Sequence, residues 1–338
     1  MDNQVGKTEN NLVNRKAVAA LAGVSTATVT RVTSGRGYVS EEARTKVEEA
    51  IRKLNYHPNQ LARSLRMRKS NMIAVIAEDI VNPYYSEVIE AMITEARRYG
   101  YIVVLYILTE HVESEKLSDL IDEICNSLYA GIINLTLIPF HKREIERISA
   151  LNVPTINLAG EEELVDLDYE KGMREAFSIL RGQGKKRIAF VSGTPWGFVK
   201  SDGRYLAYRK LLGEFGMEED PRLIVDGDYP ITKYFELGYR AVQKLHREGV
   251  PFDSVFCLTD MIAPGVVRAL SEFGKKVPED VSLFSCDNVQ LSAMLSPSVS
   301  TLDGHGKDLA RLYIQYILGM VKNLPAHFEA EFVRRESL

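Results

Sequence analysis

The sequence predicts an all-α helix-turn-helix head joined to a two-lobed α/β core. Three observations carry that expectation. Two short helical patterns meet at a glycine within residues 14–34. A strand–helix alternation begins near residue 71 and starts again near residue 169. Charge is also divided: residues 1–70 hold 13 Lys and Arg against 6 Asp and Glu, a balance of +7, and the remainder carries −11. A basic front on an acidic body suits a phosphate-binding head and a body that avoids nucleic acid.

In the head, Val18, Leu21 and Ala22 recur at offsets of three and four, with Ala19 beside them, and Val29 and Val32 do the same after Gly23. Gly23 takes the turn, where a positive φ is cheap only for glycine. Ser25 stands where an N-cap belongs. In a helix-turn-helix the second helix presents its first residues to base edges. That places Thr26 and Ala27 against bases, with Arg31 one turn later as a donor to guanine or phosphate. Ser25 and Thr28 complete this surface. Ser40 is expected to cap a third helix whose stripe Ala43, Val47, Ala50, Ile51 and Leu54 closes a small core.

Pro58 can open a short helix over residues 59–65. Two turns are marginal alone, because nucleation is costly. Beyond it, residues 72–77 form a continuous apolar run, as in a strand buried on both faces. Helices are expected at 83–99, 113–127 and 142–151, and strands at 102–108, 132–137 and 153–158. The second round predicts helices at 169–181, 203–215, 234–248 and 263–273, with strands at 187–192, 223–226, 254–258 and 281–286. A strand at 299–302, a helix at 307–322 and a strand at 329–333 finish the chain. Two such units, each about 120 residues, form two lobes around a cleft.

Several classes are disfavoured. Residues 1–11 are polar without an apolar signal-peptide core. No run of roughly 18 apolar residues suggests a membrane span. Cys125, Cys257 and Cys286 lack metal-ligand spacing and read as reduced thiols, so a cytoplasmic chain without cofactor or metal is expected. Gly184-Lys185 is followed by Lys186 rather than Ser or Thr, and is no phosphate loop. No catalytic constellation is visible, although a parallel α/β fold alone does not exclude an enzyme.

Ligands of such sheets bind outside the carboxyl ends of the strands. Residues there are Tyr84, Tyr85, Trp196, Arg204, Tyr229, Asp260 and Asp287. Arg and carboxylates suit charge-assisted bonds to hydroxyl-rich ligands, and aromatic faces cover the apolar side of a ring. Asp260 reads first as a cap of its following helix and second as a ligand contact.

The stretch Ala22 to Val32, with Val39-Ser40, Arg44, Val47, Leu54-Asn55-Tyr56-His57-Pro58-Asn59, Ala62 and Leu65-Arg66, resembles the LacI/GalR family of bacterial transcription regulators. The likeness continues through Val165 to Gly172 and Gly184 to Gly193, so it covers nearly the whole chain. Lys16-Ala17 departs from the family's usual Asp-Val, Thr30 from its usual serine, and Cys286-Asp287-Asn288 and Asp303-Gly304-His305 from its usual patterns. The resemblance implies a head at 12–57, a hinge helix and linker at 58–70, and a periplasmic-binding-protein-like effector core at 71–338. Its first lobe is expected at about 71–160 and 299–323, its second at about 161–296 and 326–338. Asn59, Ala62 and Leu65 become DNA contacts, with Leu65 matching the leucine that wedges into the minor groove and kinks the duplex. Arg204 and Asp287 match widely used effector contacts, and Tyr85 and Tyr229 match pocket positions.

The expected function is a repressor that binds double-stranded DNA at a near-palindromic operator and is switched by a small molecule, of carbohydrate type, in the cleft. A homodimer is expected, since no leucine-heptad extension follows Leu338. The alternative is a cytosolic solute-binding protein or enzyme with an appended helical domain.

Overall fold

The computed structural model describes residues 14–34, 37–56, 70–77, 80–108, 114–136, 140, 142–156, 166–193, 199–227, 233–325 and 327–338. The chain divides into two compact units, Met1–Arg68 and Lys69–Leu338.

In the first unit, α1 (Arg15–Ala22) is opened by Asn14, whose Oδ1 accepts the Ala17 N–H at 3.1 Å, and closed by Gly23 at φ 66°. Helix α2 (Thr26–Ser34) begins where Ser25 Oγ accepts the Thr28 N–H at 3.1 Å. Helix α3 (Glu41–Leu54) is capped by Ser40. Each cap satisfies a backbone donor that the first turn cannot. Val18, Ala19, Ala22, Val29, Val47 and Ala50 form the core. Leu21, expected in the stripe, is 51% exposed, because the buried arc of α1 is centred on residues 18, 19 and 22.

The second unit opens with β1 (Met72–Ala77), α4 (Pro83–Arg98), β2 (Ile102–Ile107), α5 (Ser114–Asn126), β3 (Gly131–Asn134), α6 (Lys142–Ser149) and β4 (Thr155–Ile156). The strands pair in parallel, in the order β2-β1-β3-β4. Side chains alternate across a strand, so Ile73, Val75 and Ala77 join one apolar cluster and Ala74 and Ile76 the other. Both faces are therefore covered, as the unbroken apolar run requires.

The second lobe contains β5 (Asp166–Asp168), α7 (Glu170–Gly182), β6 (Ile188–Val191), α8 (Gly203–Phe215), β7 (Ile224–Val225), α9 (Tyr234–Arg247), β8 (Ser254–Cys257), α10 (Ala263–Glu272), β9 (Ser282–Cys286) and α11 (Gln290–Met294). The chain ends in β10 (Ser300–Asp303), α12 (Gly306–Ile317), β11 (His327–Glu329) and β12 (Glu331–Val333). Six strands lie in the order β12-β10-β9-β8-β6-β7, with β12 antiparallel to β10. The lobe's core is aromatic; Phe256 and Phe284 stack with ring centroids 4.5 Å apart. Helices α9 and α10 meet at Gly238 and Gly265, where an added methyl would run into the other helix's backbone.

The boundary between lobes differs from the expectation at the crossings. The sequence reading puts residues 299–303 in the first lobe, but β10 pairs with β9 and β12 and belongs to the second. The crossing comes after it, and α12 then packs on α4 through Leu309, Tyr313 and Ile314. A second crossing carries the unforeseen parallel pair β5–β11. Leu167 and Phe328 of that pair pack against the first lobe's core, while β5 leads directly into α7.

Candidate functional site

The outer face of α2 carries Thr26, Ala27, Thr30 and Arg31, all exposed, while Val29 is buried beneath them. Thr30 is held by α1, since Arg15 Nη1 donates to its hydroxyl at 2.8 Å. The Ser25 and Thr28 hydroxyls lie 3.0 Å apart and share a hydrogen. Ser25 and Thr28 thus fasten the start of the helix, and Thr26, Ala27 and Arg31 form the open surface. Asn59, Ala62 and Leu65 lie outside the described residues.

In the core, Arg204 sits in the first turn of α8. Its Nε and Nη2 donate to the two oxygens of Asp202 at 3.0 and 2.7 Å, and Nη1 donates to the Leu258 carbonyl at 3.1 Å. Asp202 is also the helix cap, accepting the Arg204 N–H at 2.8 Å. Burial opposes both charges, yet each outweighs that penalty for the other. The Asp202 carboxyl is held below its ordinary range and the guanidinium above its own. The guanidinium lies 5.8 Å from the Tyr169 ring centroid, a cation–π distance. The Tyr169 phenol is pushed far up, by burial first and by nearby Cys286 second.

Asp287 follows β9 at φ 118°, a left-handed backbone that favours glycine. Its N–H donates to the Leu302 carbonyl at 2.9 Å. Its Oδ2 is buried and has no hydrogen-bond partner among the described residues. Burial, then the charge of Asp260, pushes its carboxyl well above the ordinary range, while Arg204 and then the nearby Asn82 amide pull back. An orphaned buried acceptor and a left-handed backbone at one non-glycine residue make Asp287 a candidate functional position.

Asn82 belongs to the first lobe, where it caps α4 by accepting the Tyr84 N–H at 3.0 Å. Its influence on the Asp287 carboxyl therefore reaches across the two lobes. Tyr84 lies alongside, its hydroxyl pushed up by burial and then by the Asp287 charge. Gly306 gives the Tyr84 ring room, because a Cβ there would stand 2.8 Å from Tyr84 Cε2. Tyr85 meets Tyr84 edge to face, with centroids 5.5 Å apart, and packs on the first lobe's core. A cavity of about 230 Å³ opens beside these residues, lined among others by Tyr84, Asp287, Asn288, Asp303, His305 and Lys307.

The structure thus brings together Tyr84, Arg204 and Asp287 from the sequence-derived set. Trp196 and Tyr229 lie outside the described residues. Asp260 requires a correction on both expected roles. It is fully buried, and its oxygens accept the Ser285 hydroxyl, the Thr301 hydroxyl at 2.7 Å and the Val289 N–H at 2.9 Å. Oδ1 takes both hydroxyls and Oδ2 the Val289 N–H, so the carboxyl is committed to the protein, and Ile262, not Asp260, holds the cap position of α10, without a side-chain cap. Asp260 is a bracket that pins the loop carrying Asp287 to β9 and β10. Tyr169, Asp202 and Asn82 are site residues that sequence reasoning misses. For Asp202 and Asn82 a signal exists: each stands where an N-cap belongs, before Gly203 and Pro83.

Residues 16–59 match the bacterial regulatory proteins of the lacI family, and residues 177–338 match the periplasmic binding protein-like domain. The chain is 32% identical to the ribose operon repressor of Halalkalibacterium halodurans over 91% of its own length and 90% of that protein. It is also 32% identical to catabolite control protein A of Priestia megaterium over 84% of its length and 85% of the relative. Among solved structures it is similar to the complex of the transcriptional regulator CelR with cellobiose, at 25% identity and TM-score 0.67, covering 96% of this chain and 100% of that one. A Lac repressor dimer bound to operator and the anti-inducer ONPF shares the fold, at 24% identity and TM-score 0.82 over 96% and 98% of the two chains.

Proposed function

Because the chain belongs to the LacI family of bacterial regulatory proteins, and is a DNA-binding transcriptional regulator with a ligand-binding core, we propose how its residues divide that work. Residues 12–57 read the operator, 58–70 connect, and 71–338 hold the effector. The chain acts as a homodimeric repressor on a near-palindromic site, since a twofold protein calls for twofold DNA. Thr26, Ala27 and Arg31 address base edges and phosphate. Leu65, with Asn59 and Ala62, serves the minor groove at the operator centre. The core turns nothing over; it senses.

The effector is a hydroxyl-rich small molecule, a carbohydrate being the chemistry that fits best. The observation that supports this most is the pair of buried polar groups at the strand ends, the Arg204 guanidinium and the Asp287 carboxyl. Asp202 holds Arg204 in place as a hydrogen-bond donor, and Asp287 offers an acceptor oxygen with no protein partner among the described residues. Vicinal hydroxyls can accept from one and donate to the other, and Tyr84 or Tyr169 can cover the ring's apolar side. The CelR relative is named for a cellobiose complex and two other relatives for the ribose operon, in keeping with that class.

Arg204 and Asp287 come from the second lobe, and Asn82 and Tyr84 from the first. A ligand that binds both sets favours one lobe arrangement over the other by its difference in affinity. Typical couplings of about 1–3 kcal/mol change operator affinity roughly 5–150-fold. The test is operator selection from genomic DNA at low ionic strength, then binding with and without cellobiose or D-ribose for wild type and Leu65→Ala. Affinity that falls steeply with salt supports the head's role, because phosphate contacts release counterions. Equal operator affinity for wild type and Leu65→Ala removes the wedge from the mechanism.

A further inference from the structure

Asn288 comes directly after Asp287 and also has a left-handed backbone, φ 52°. Both ends of its side-chain amide are engaged. Nδ2 donates to Asp303 Oδ2 at 2.9 Å, and Oδ1 accepts from Arg335 Nη2 at 2.5 Å. Its backbone N–H donates to the Thr301 hydroxyl at 3.2 Å. One side chain thus ties the loop bearing Asp287 to the last residue of β10 and to the segment after β12.

The partners lead out of the second lobe. The other oxygen of Asp303 accepts the His305 N–H at 2.7 Å, and His305 is the cap position of α12. Helix α12 packs within the first lobe, where Lys307 pairs with Glu87 of α4 at 2.6 Å. On the other arm, Arg335 also donates to the Val299 carbonyl at 2.7 Å and to the Ser292 hydroxyl at 3.2 Å. A path of short polar contacts therefore runs from Asp287 through Asn288 and Asp303 to the start of α12. The strained backbone at Asp287 and Asn288 leaves few ways to shift one residue without the other.

We propose that Asn288 is a positioning residue that transmits the state of the Asp287 side chain to the crossing at residues 303–306, and through α12 to the first lobe. This rests on the reading of Asp287 as an effector contact, but its test needs no effector. Asp287→Asn, which replaces the carboxyl by an amide in place, is the perturbation, and amide hydrogen exchange of the full chain is the readout. In the wild-type background, Asp287→Asn is expected to change exchange across residues 304–309 by about threefold or more. In the Asn288→Gly background, which keeps the left-handed backbone and removes the amide, the same change should leave that segment within about 1.5-fold. Asn288→Asp combined with Asp303→Asn exchanges donor and acceptor, and should restore the response.

A merely structural Asn288 would loosen its own loop in Asn288→Gly yet leave the response to Asp287→Asn intact. That result overturns the proposal, as does an unaltered segment in the wild-type background. Should Asn288→Gly not fold, Asp303→Ala cuts the same path one residue later and is judged by the same criterion. A positive exchange result alongside absent carbohydrate binding would retain the relay and remove the effector reading.

Discussion

Replacing Asp260 by alanine is expected to destabilise the second lobe by about 3 kcal/mol. The carboxylate lost is fully buried and accepts from Ser285, Thr301 and Val289. A buried donor left without an acceptor costs about 1–3 kcal/mol. The Val289 N–H cannot turn away and bears the full penalty. The hydroxyls can rotate, and Ser285 already lies 3.5 Å from the Ser300 carbonyl, so their share is smaller. Removing a buried charge offsets part of the total. The assay is urea unfolding read by circular dichroism, comparing midpoints at a common slope. A variant within about 1 kcal/mol of wild type that has lost its response to ligand would refute the bracket and restore Asp260 as a ligand contact.

The other predictions concern the charges and the close helix pair. The Asp287 carboxyl titrates above its ordinary value, chiefly through burial, so the folded chain holds its proton where the unfolded chain has released it. Its contribution to stability is full below the unfolded value and is lost as pH rises through the folded one. Asp287→Asn should therefore flatten the fall in urea midpoint above about pH 4; an identical pH profile for both proteins would contradict this. Arg204→Met leaves Asp202 buried without its cation and should weaken carbohydrate binding by tenfold or more, about 1.4 kcal/mol, as read by calorimetry. Arg31→Ala should lower operator affinity and make the salt slope shallower by about one if the contact is to phosphate; an unchanged slope assigns Arg31 to a base or to neither. Gly265→Ala should cost at least about 2 kcal/mol, measured by thermal unfolding, because the new methyl meets the Phe235 carbonyl.

Local features of this fold are legible in the sequence because their causes are local. Ser25, Ser40 and Gly23 do what their side chains and backbone allow within one turn. Residues 72–77 read as a doubly covered strand because neither face carries a polar side chain. Features that are not legible depend on distant pairing. The residues of β10 are placed by Phe284 on one side and Val333 on the other, and nothing nearby in sequence specifies a lobe. The strands β5 and β11 are three residues each and exist only because two crossings run side by side.

The site divides in the same way. Arg204 and Asp287 are found by looking just beyond the carboxyl ends of strands, and the structure places them within each other's field. Asp260 satisfies the same rule and is something else, because its partners lie 25, 29 and 41 residues away. Asn288 carries no signal beyond its place after Asp287; both of its amide contacts are made across sequence gaps of 15 and 47 residues.

Central to the proposed mechanism is that a ligand held between the lobes of the core sets the affinity of the head for DNA. Its most direct test is the ratio of operator affinities with and without a carbohydrate that raises the melting temperature of the chain, measured for wild type and Arg204→Met. The expected result is a change of roughly 5–150-fold in wild type and a ratio near one in Arg204→Met. A ratio near one in wild type with the carbohydrate demonstrably bound, or an undiminished ratio in the variant, would contradict it.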